Sequence, residues 1–161
     1  MAYVTKGNRD DAECPFCTRP VDAAKLPGLI VHAGHQAYVT LNLYPYNNGH
    51  LLILPYRHVA DLNELEPDEA NELVALLIES RAVLQRELTP DGYNIGMNLG
   101  TAAGAGIPQH VHFHIVPRWD GDTNFMPVTG DVKVLPETLL QTHDRLVTAW
   151  ETEHQSGSTP P

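Results

Sequence analysis

The sequence predicts an α+β domain with a mostly antiparallel sheet. Five short runs have the β-branched, aromatic or alternating character of strands, one long stretch repeats leucine and valine at helical spacing, and a second helical stretch follows the last strand. With 161 residues, 42% of them hydrophobic, the chain can bury one proper core and is short for two. The expected organisation is a flexible polar segment over 1–13, a single domain over 14–153 and a disordered tail over 154–161 that ends Ser-Gly-Ser-Thr-Pro-Pro.

Taken in order, Cys14-Pro15-Phe16-Cys17 reads as a short knuckle. Residues 29–33 (Leu-Ile-Val-His-Ala) and 37–43 (Ala-Tyr-Val-Thr-Leu-Asn-Leu) read as a hairpin, with Gly34 and His35 in its turn. Tyr44 to Gly49 is dense in turn formers, and His50 to Leu54 is a strongly apolar run closed by Pro55. Pro67 suits the first helical position, and Asp68 and Glu69 follow in the first turn, where the helix dipole favours them. Leu73, Leu76, Leu77, Val83, Leu84 and Leu88 then recur at helical spacing until Pro90 stops the run. Residues 93–99 read as a strand, and a loop rich in glycine and alanine, Gly100 to Gly106, leads into residues 109–117. A final helix is expected from Pro136 to about Glu151.

Residues 109–117 (Gln-His-Val-His-Phe-His-Ile-Val-Pro) dominate the functional reading. Extended chain sends alternate side chains to opposite faces, so His110, His112 and His114 form one row while Val111, Phe113 and Ile115 face a core. A row of imidazoles can bind metal, transfer protons or attack an electrophile. The preceding loop favours phosphorus chemistry: between Asn98 and Gly106 the small residues let backbone N–H groups approach and collect a phosphate. The formal net charge of −10 sets the global field against nucleic acid and anionic membrane, so an anionic ligand must be held by local donors. No stretch approaches the length of a membrane span, and Met1 to Lys6 lacks the pattern of a signal peptide. With only Cys14 and Cys17 present, no disulfide framework is expected, and the chain reads as cytoplasmic. Their C-x₂-C spacing supplies half of a tetrahedral metal site, a redox pair being the other reading. His50 reads as structural, bracing the turn before its strand, whereas His32, His35, His143 and His154 read as solvent-facing or incidental. Arg118 and Trp119 suit either the edge of a site or a subunit interface.

His110-Val111-His112-Phe113-His114-Ile115-Val116 resembles the His-φ-His-φ-His-φ-φ motif of the histidine triad (HIT) family, φ being apolar, at every one of its positions. Leu41 to His58 looks like that family's ligand-side strand pair, and with the helix between them the resemblance covers most of residues 14–119. Leu41-Asn42-Leu43-Tyr44-Pro45-Tyr46 and Pro117 to Phe125 are similar to the bacterial branch described as diadenosine tetraphosphate phosphorylases.

The resemblance implies a HIT-like five-stranded sheet and cleavage of dinucleoside polyphosphates through a nucleotidyl-histidine on His112, released by phosphate or water. Related activities in the family are purine nucleoside phosphoramidase and adenylyl-sulfate hydrolase, and some members bind nucleotides without turnover. By the same resemblance His114 hydrogen-bonds the scissile phosphate, Asn42 meets the ribose hydroxyls, Leu43 and residues near Ile30 wall the base, and Asn98 and Gly106 contact phosphate. Cys14, Cys17, His58 and His110 would together hold a structural Zn²⁺, Mg²⁺ would accompany the polyphosphate, and the chain would form a homodimer. One departure stands out: Ala105-Gly106-Ile107-Pro108-Gln109 lacks the hydroxyl or amide side chain that relatives carry after this glycine, leaving phosphate contacts there to backbone amides.

Overall fold

The computed structural model describes residues 14–18, 29–123 and 136–156, the side chains of Thr18 and of residues 153–156 excepted. The segment 1–13 and residues 157–161 of the tail lie outside the described residues. A one-turn helix α1 (Pro15–Thr18) precedes strands β1 (Ile30–Ala33), β2 (Ala37–Leu41) and β3 (Leu51–Pro55); helix α2 (Pro67–Leu88), strands β4 (Gly92–Gly96) and β5 (Phe113–Arg118), and helix α3 (Leu139–Ser156) follow. The five strands form one antiparallel sheet in the order β1-β2-β3-β5-β4. Fold class and strand number therefore agree with expectation.

Strands β2 and β3 are buried along their whole length because both faces of the sheet are covered. Ala37, Val39, Leu41, Leu51, Ile53 and Ile115 point to one face and pack with Leu73, Leu76, Val83 and Leu84 of α2 and Leu146, Ala149 and Trp150 of α3. Tyr38, Leu52 and Leu54 point to the other and pack with Ile107, Cys14 and Phe16. The helices thus cover one face, and the N-terminal knuckle and the loop before β5 cover the other. The apolar run over His50 to Leu54 reflects this two-sided burial.

Local chemistry sets the helix boundaries. At the start of α2, Glu69 accepts the Glu66 backbone N–H at 2.8 Å. The same carboxylate takes Arg57 Nε at 2.9 Å and Nη2 at 2.7 Å, and these bonds hold its pKa below the usual range. Thr89 closes α2 in the left-handed region, at φ 45°, immediately before Pro90. Helix α3 begins at Leu139 rather than at Pro136 because Thr138 and Gln141 form a capping box. Gln141 Oε1 accepts the Thr138 N–H at 3.0 Å, and Thr138 Oγ1 accepts the Gln141 N–H at 3.3 Å. At its other end α3 continues to Ser156, into the segment whose composition suggests a tail.

Two strands are shorter than their patterns suggest. Strand β4 ends at Gly96, and β5 begins at Phe113, so His110 and His112 precede the ladder. The bonds of residues 110 and 111 run elsewhere: His110 N–H to Ile107 O at 3.3 Å and Val111 N–H to Val59 O at 2.8 Å. Two histidines expected to face solvent do not. His143 is half-buried, its Nε2 lying 3.0 Å from Ile30 O and tying α3 to β1. His32 stacks on Trp150 with ring centroids 4.8 Å apart.

Gly49 brings the chain into β3 at φ 72°, and a Cβ there would lie 2.4 Å from Leu88 Cδ1 and 3.1 Å from Leu84 Cδ2. Gly49→Ala combines left-handed strain with overpacking and should cost roughly 2–4 kcal/mol. Thermal denaturation should then show the midpoint falling by roughly 5–12 °C, whereas a loss below about 2 °C would show that the turn relaxes freely.

Candidate active site and metal centre

The antiparallel register builds the site. Leu52 of β3 pairs with His114 of β5, so His114 and His112 share the face away from the helices, while Phe113 and Ile115 turn toward α2. His50, two residues before Leu52, falls on that same face. Its Nε2 lies 2.9 Å from His114 Nδ1, and the two rings are 5.1 Å apart. The rings of His112 and His114 are 4.9 Å apart. His110 and His112 are buried and His114 is half-buried.

Hydrogen bonding assigns the protons on this row. His50 Nδ1 meets two donors, the Tyr46 backbone N–H at 3.0 Å and Asn42 Nδ2 at 3.3 Å. Nδ1 must therefore accept, which leaves the proton on Nε2 to donate to His114 Nδ1. His114 in turn carries its own proton on Nε2. Desolvation, aided by the neighbouring His112, depresses the His114 pKa to about 4, so the ring is neutral at physiological pH. His112 is the opposite tautomer, since its Nδ1 lies 2.7 Å from the His110 carbonyl, which can only accept. Nδ1–H donates there, which leaves Nε2 with its lone pair. Burial lowers the His112 pKa, and the bond to the His110 carbonyl works against that shift. The row thus sets a nitrogen lone pair beside an N–H donor.

Of the residues expected to contact a ligand, Asn42 reaches His50, the partner of His114. Asn42, half-buried, accepts the Tyr44 N–H on Oδ1 at 3.1 Å in an Asx turn, so its carbonyl shapes the strand exit while its amide reaches His50. Leu43 leans on the helix-side core, and Ile30 packs against the knuckle-side cluster. Gly96 pairs with His114 at the end of the β4–β5 ladder, and Asn98 follows two residues later at the start of the loop. Beyond it the loop turns through Gly100 and Gly104 at φ 75° and 84°, with Thr101–Ala103 as a single 3₁₀ turn. A Cβ on Gly104 would lie 3.8 Å from Asn98 Nδ2, which places that amide over the loop, and Gly106 is exposed beyond it. Arg118 turns to Asp122 through two 2.6 Å contacts, and Asp122 also takes Asn47 Nδ2 at 2.8 Å, fastening the loop that carries Tyr46. The Tyr46 ring lies 4.7 Å from that of His50 and is near-parallel to that of His114.

Cys14, Cys17, His58 and His110 converge on the knuckle side, their ligand atoms all within 4.8 Å of one another. Among the described residues this is the one such cluster found. Cys14 Sγ and Cys17 Sγ each lie 3.5 Å from His110 Nδ1, and Cys17 Sγ lies 3.2 Å from His58 Nδ1. Bonds of about 2.3 Å to sulfur and 2.0 Å to nitrogen give a tetrahedral S···N edge of about 3.5 Å, so the four residues fit one metal ion. His110 Nε2 lies 3.0 Å from Pro55 O and donates to it, which leaves Nδ1 free of a proton and directed at the thiols. The cysteines are not joined in a disulfide. The Arg57–Glu69 ion pair anchors the chain next to His58 at the start of the crossover.

The folded chain brings Cys14, Cys17, His58 and His110 together and sets His114 beside both His112 and His50, whereas Leu43 lies against the helix-side core. The partnership of His50 with His114 and the contact of Phe16 with His112 escaped the sequence reading. Phe16 was part of the knuckle and His50 a neighbour of a turn; no spacing in the sequence links either to the triad.

The HIT domain profile matches residues 24–121. The chain is 46% identical over 123 residues to AP-4-A phosphorylase of Mycobacterium tuberculosis, covering 76% of this chain and 63% of that protein. It therefore spans less than two thirds of that relative's length. An uncharacterized HIT-like protein of Methanocaldococcus jannaschii is 34% identical over 120 residues, covering 74% of this chain and 89% of that one. The crystal structure of a Zn-bound histidine triad family protein from Mycobacterium smegmatis superposes with a TM-score of 0.72 at 22% identity, covering 91% of this chain and 99% of that chain, a likeness of fold. By sequence, architecture and its intact His-φ-His-φ-His strand, the chain belongs to the HIT domain family.

Proposed function

We propose that this protein is a nucleotidyl hydrolase or transferase that cleaves dinucleoside polyphosphates of the diadenosine tetraphosphate type. The observation that carries the reading is the pairing of His112, whose Nδ1–H bond leaves Nε2 unprotonated, with His114, whose Nδ1 accepts from His50 and leaves the proton on Nε2, the two rings 4.9 Å apart. In this mechanism His112 Nε2 attacks the phosphorus of a nucleoside monophosphate unit. An N–P bond forms, and the bridging P–O bond breaks with its electron pair leaving on the remaining polyphosphate. Positive charge builds on the His112 ring and is shared with the His110 carbonyl through Nδ1–H. His114 Nε2–H stabilises the phosphate or departing oxygen, and His50 holds it in that tautomer. A second nucleophile then attacks the phosphoramidate and returns the lone pair to His112. Asn42 is assigned to the ribose hydroxyls, Leu43 to the base, and Asn98 and the backbone at Gly106 to phosphate. Any Mg²⁺ would arrive with the polyphosphate. The 46% identity to a protein named as an AP-4-A phosphorylase supports this substrate class.

His112→Asn should lower turnover of diadenosine tetraphosphate by on the order of a thousandfold or more and leave the fold intact. Wild-type turnover in that variant would sink the assignment. The second nucleophile is read from the wild-type products. ADP formed only with inorganic phosphate present marks a phosphorylase, and AMP with ATP formed in its absence marks a hydrolase, the outcome that the donor-poor Ala105-Gly106-Ile107 favours.

The metal proposed for Cys14, Cys17, His58 and His110 is zinc, in a structural role, because two thiolates and two imidazoles complete a tetrahedral shell with no open position. Elemental analysis should find about one zinc per chain. Cys14→Ser should lower both zinc content and melting temperature, and metal-free protein of unchanged stability would refute the assignment.

We also propose a homodimer. Among the described residues strand β4 is an edge of the sheet, and such an edge invites a second copy. Arg81 lies 5.5 Å from the Tyr93 ring centre, which puts that stripe of α2 beside β4. Ile78 and Val74 extend the stripe and are exposed, as is Ile95 on β4. A two-fold axis through this face would join two sheets and bury these side chains. Ile95→Asp should shift the sedimentation of the protein from dimer to monomer; unchanged sedimentation would place the interface elsewhere. No described helix is long and apolar enough to cross a membrane. A cytoplasmic site of action is part of this proposal and agrees with thiolate metal ligands.

A further inference from the structure

Phe16 sits between the two cysteines, in the single helical turn Pro15–Thr18, and is almost fully buried at 3% exposure. Its ring spans two functions. The centroid lies 5.5 Å from that of His110 at an interplanar angle of 81°, and 5.0 Å from that of His112 at 59°. The backbone around it is held at two points: the Tyr38 hydroxyl donates to Phe16 O at 2.6 Å, and the Cys17 N–H donates to Cys14 O at 3.1 Å. Tyr38 itself is fully buried.

We infer that Phe16 is a positioning residue for His112, a buried peg through which the metal knuckle holds the reactive imidazole in its plane. This rests on the reading of His112 as nucleophile. The Nδ1–H bond to the His110 carbonyl fixes one point of the His112 ring but leaves the ring free to swing about that bond. Two rings stand against that swing, His114 at 4.9 Å and Phe16 at 5.0 Å. Four residues of helix have no stability of their own, because a single turn does not repay its nucleation. Phe16 is therefore kept in place by its contacts with Tyr38 and the small apolar cluster and by the ligands on either side of it, which are drawn to His58 and His110. Binding the metal and aiming the lone pair become one structural event, with no contact between the metal site and substrate. Misplacing a reacting group by an ångström costs up to about a hundredfold in rate, so a peg of this kind acts on kcat more than on KM.

Phe16→Leu, which keeps the site apolar and close to its volume, and Phe16→Ala test this in the full chain, with zinc measured in every sample and kcat expressed per zinc-loaded chain. With diadenosine tetraphosphate, kcat should fall by about tenfold in the leucine variant and further in the alanine variant, with KM within about twofold of wild type. A second readout needs no turnover. The His112 ring proton signals, identified by their loss in His112→Asn, should move in both Phe16 variants as the aromatic ring current is removed, and should move again in Cys14→Ser. Zinc-loaded Phe16 variants with wild-type kcat overturn the inference, as does a Cys14→Ser protein whose His112 signals stay in place. A wild-type protein without turnover would count against the proposed reaction instead, and the His112 signals would still decide the role of Phe16.

Discussion

The pairing of β3 with β5, with Leu52 opposite His114, decides which face of the sheet each histidine occupies. Strand side chains alternate, so a slip of one residue would turn the His112 and His114 side chains into the apolar layer under α2 and α3 and expose Phe113 and Ile115. The helix-side core guards against that slip, because Leu51, Ile53 and Ile115 are all fully buried there. The same register brings His50 diagonally against His114, and so sets the tautomer of a residue in the other strand. The geometry of the histidine row follows from apolar packing on the opposite face of the sheet.

Among the described residues no long helix covers the knuckle-side face. Its apolar cluster is small, with Tyr38, Leu52, Leu54, Ile107 and Phe16 as the main contributors. A metal held by Cys14, Cys17, His58 and His110 would tie the knuckle to the rest of this face, much as small domains rely on staples. His110 is where the two sites meet: Nδ1 faces the thiols, Nε2 donates to Pro55 O, and its carbonyl receives the proton of His112. A substitution at His110 would therefore disturb metal and nucleophile together, whereas Phe16 links them through packing alone.

The chain carries a formal net charge of −10. A phosphate ligand gains nothing from that global field and depends on short-range donors in a desolvated site, where each hydrogen bond counts for more than it would in water. The neutral His114, with its pKa depressed to about 4, donates without bringing a charge that would need burying. Backbone N–H groups of the loop through Gly100 and Gly104 can do the same, because positive φ lets that loop fold back on itself.

Much of this was legible in the residues alone. The α+β class, all five strands and the span of α2 follow from periodicity, proline placement and turn chemistry, which act over a few residues at a time. The motif His110-Val111-His112-Phe113-His114 also announced the row of imidazoles, since alternation is a local property of extended chain. Where β5 begins was not legible: the His110 N–H turns back to Ile107 O, and the Val111 N–H goes to Val59 O, in a segment about fifty residues earlier in the chain. His143 and His32 looked incidental because their partners, Ile30 O and Trp150, are more than a hundred residues away. The convergence of Cys14 and Cys17 with His58 and His110 entered the sequence reading through family resemblance, and only the folded chain gives it distances. The proton assignments along Tyr46, His50 and His114, and the contact of Phe16 with His112, needed the tertiary structure, because a tautomer or a ring contact is set by whichever group the fold brings to within a few ångströms.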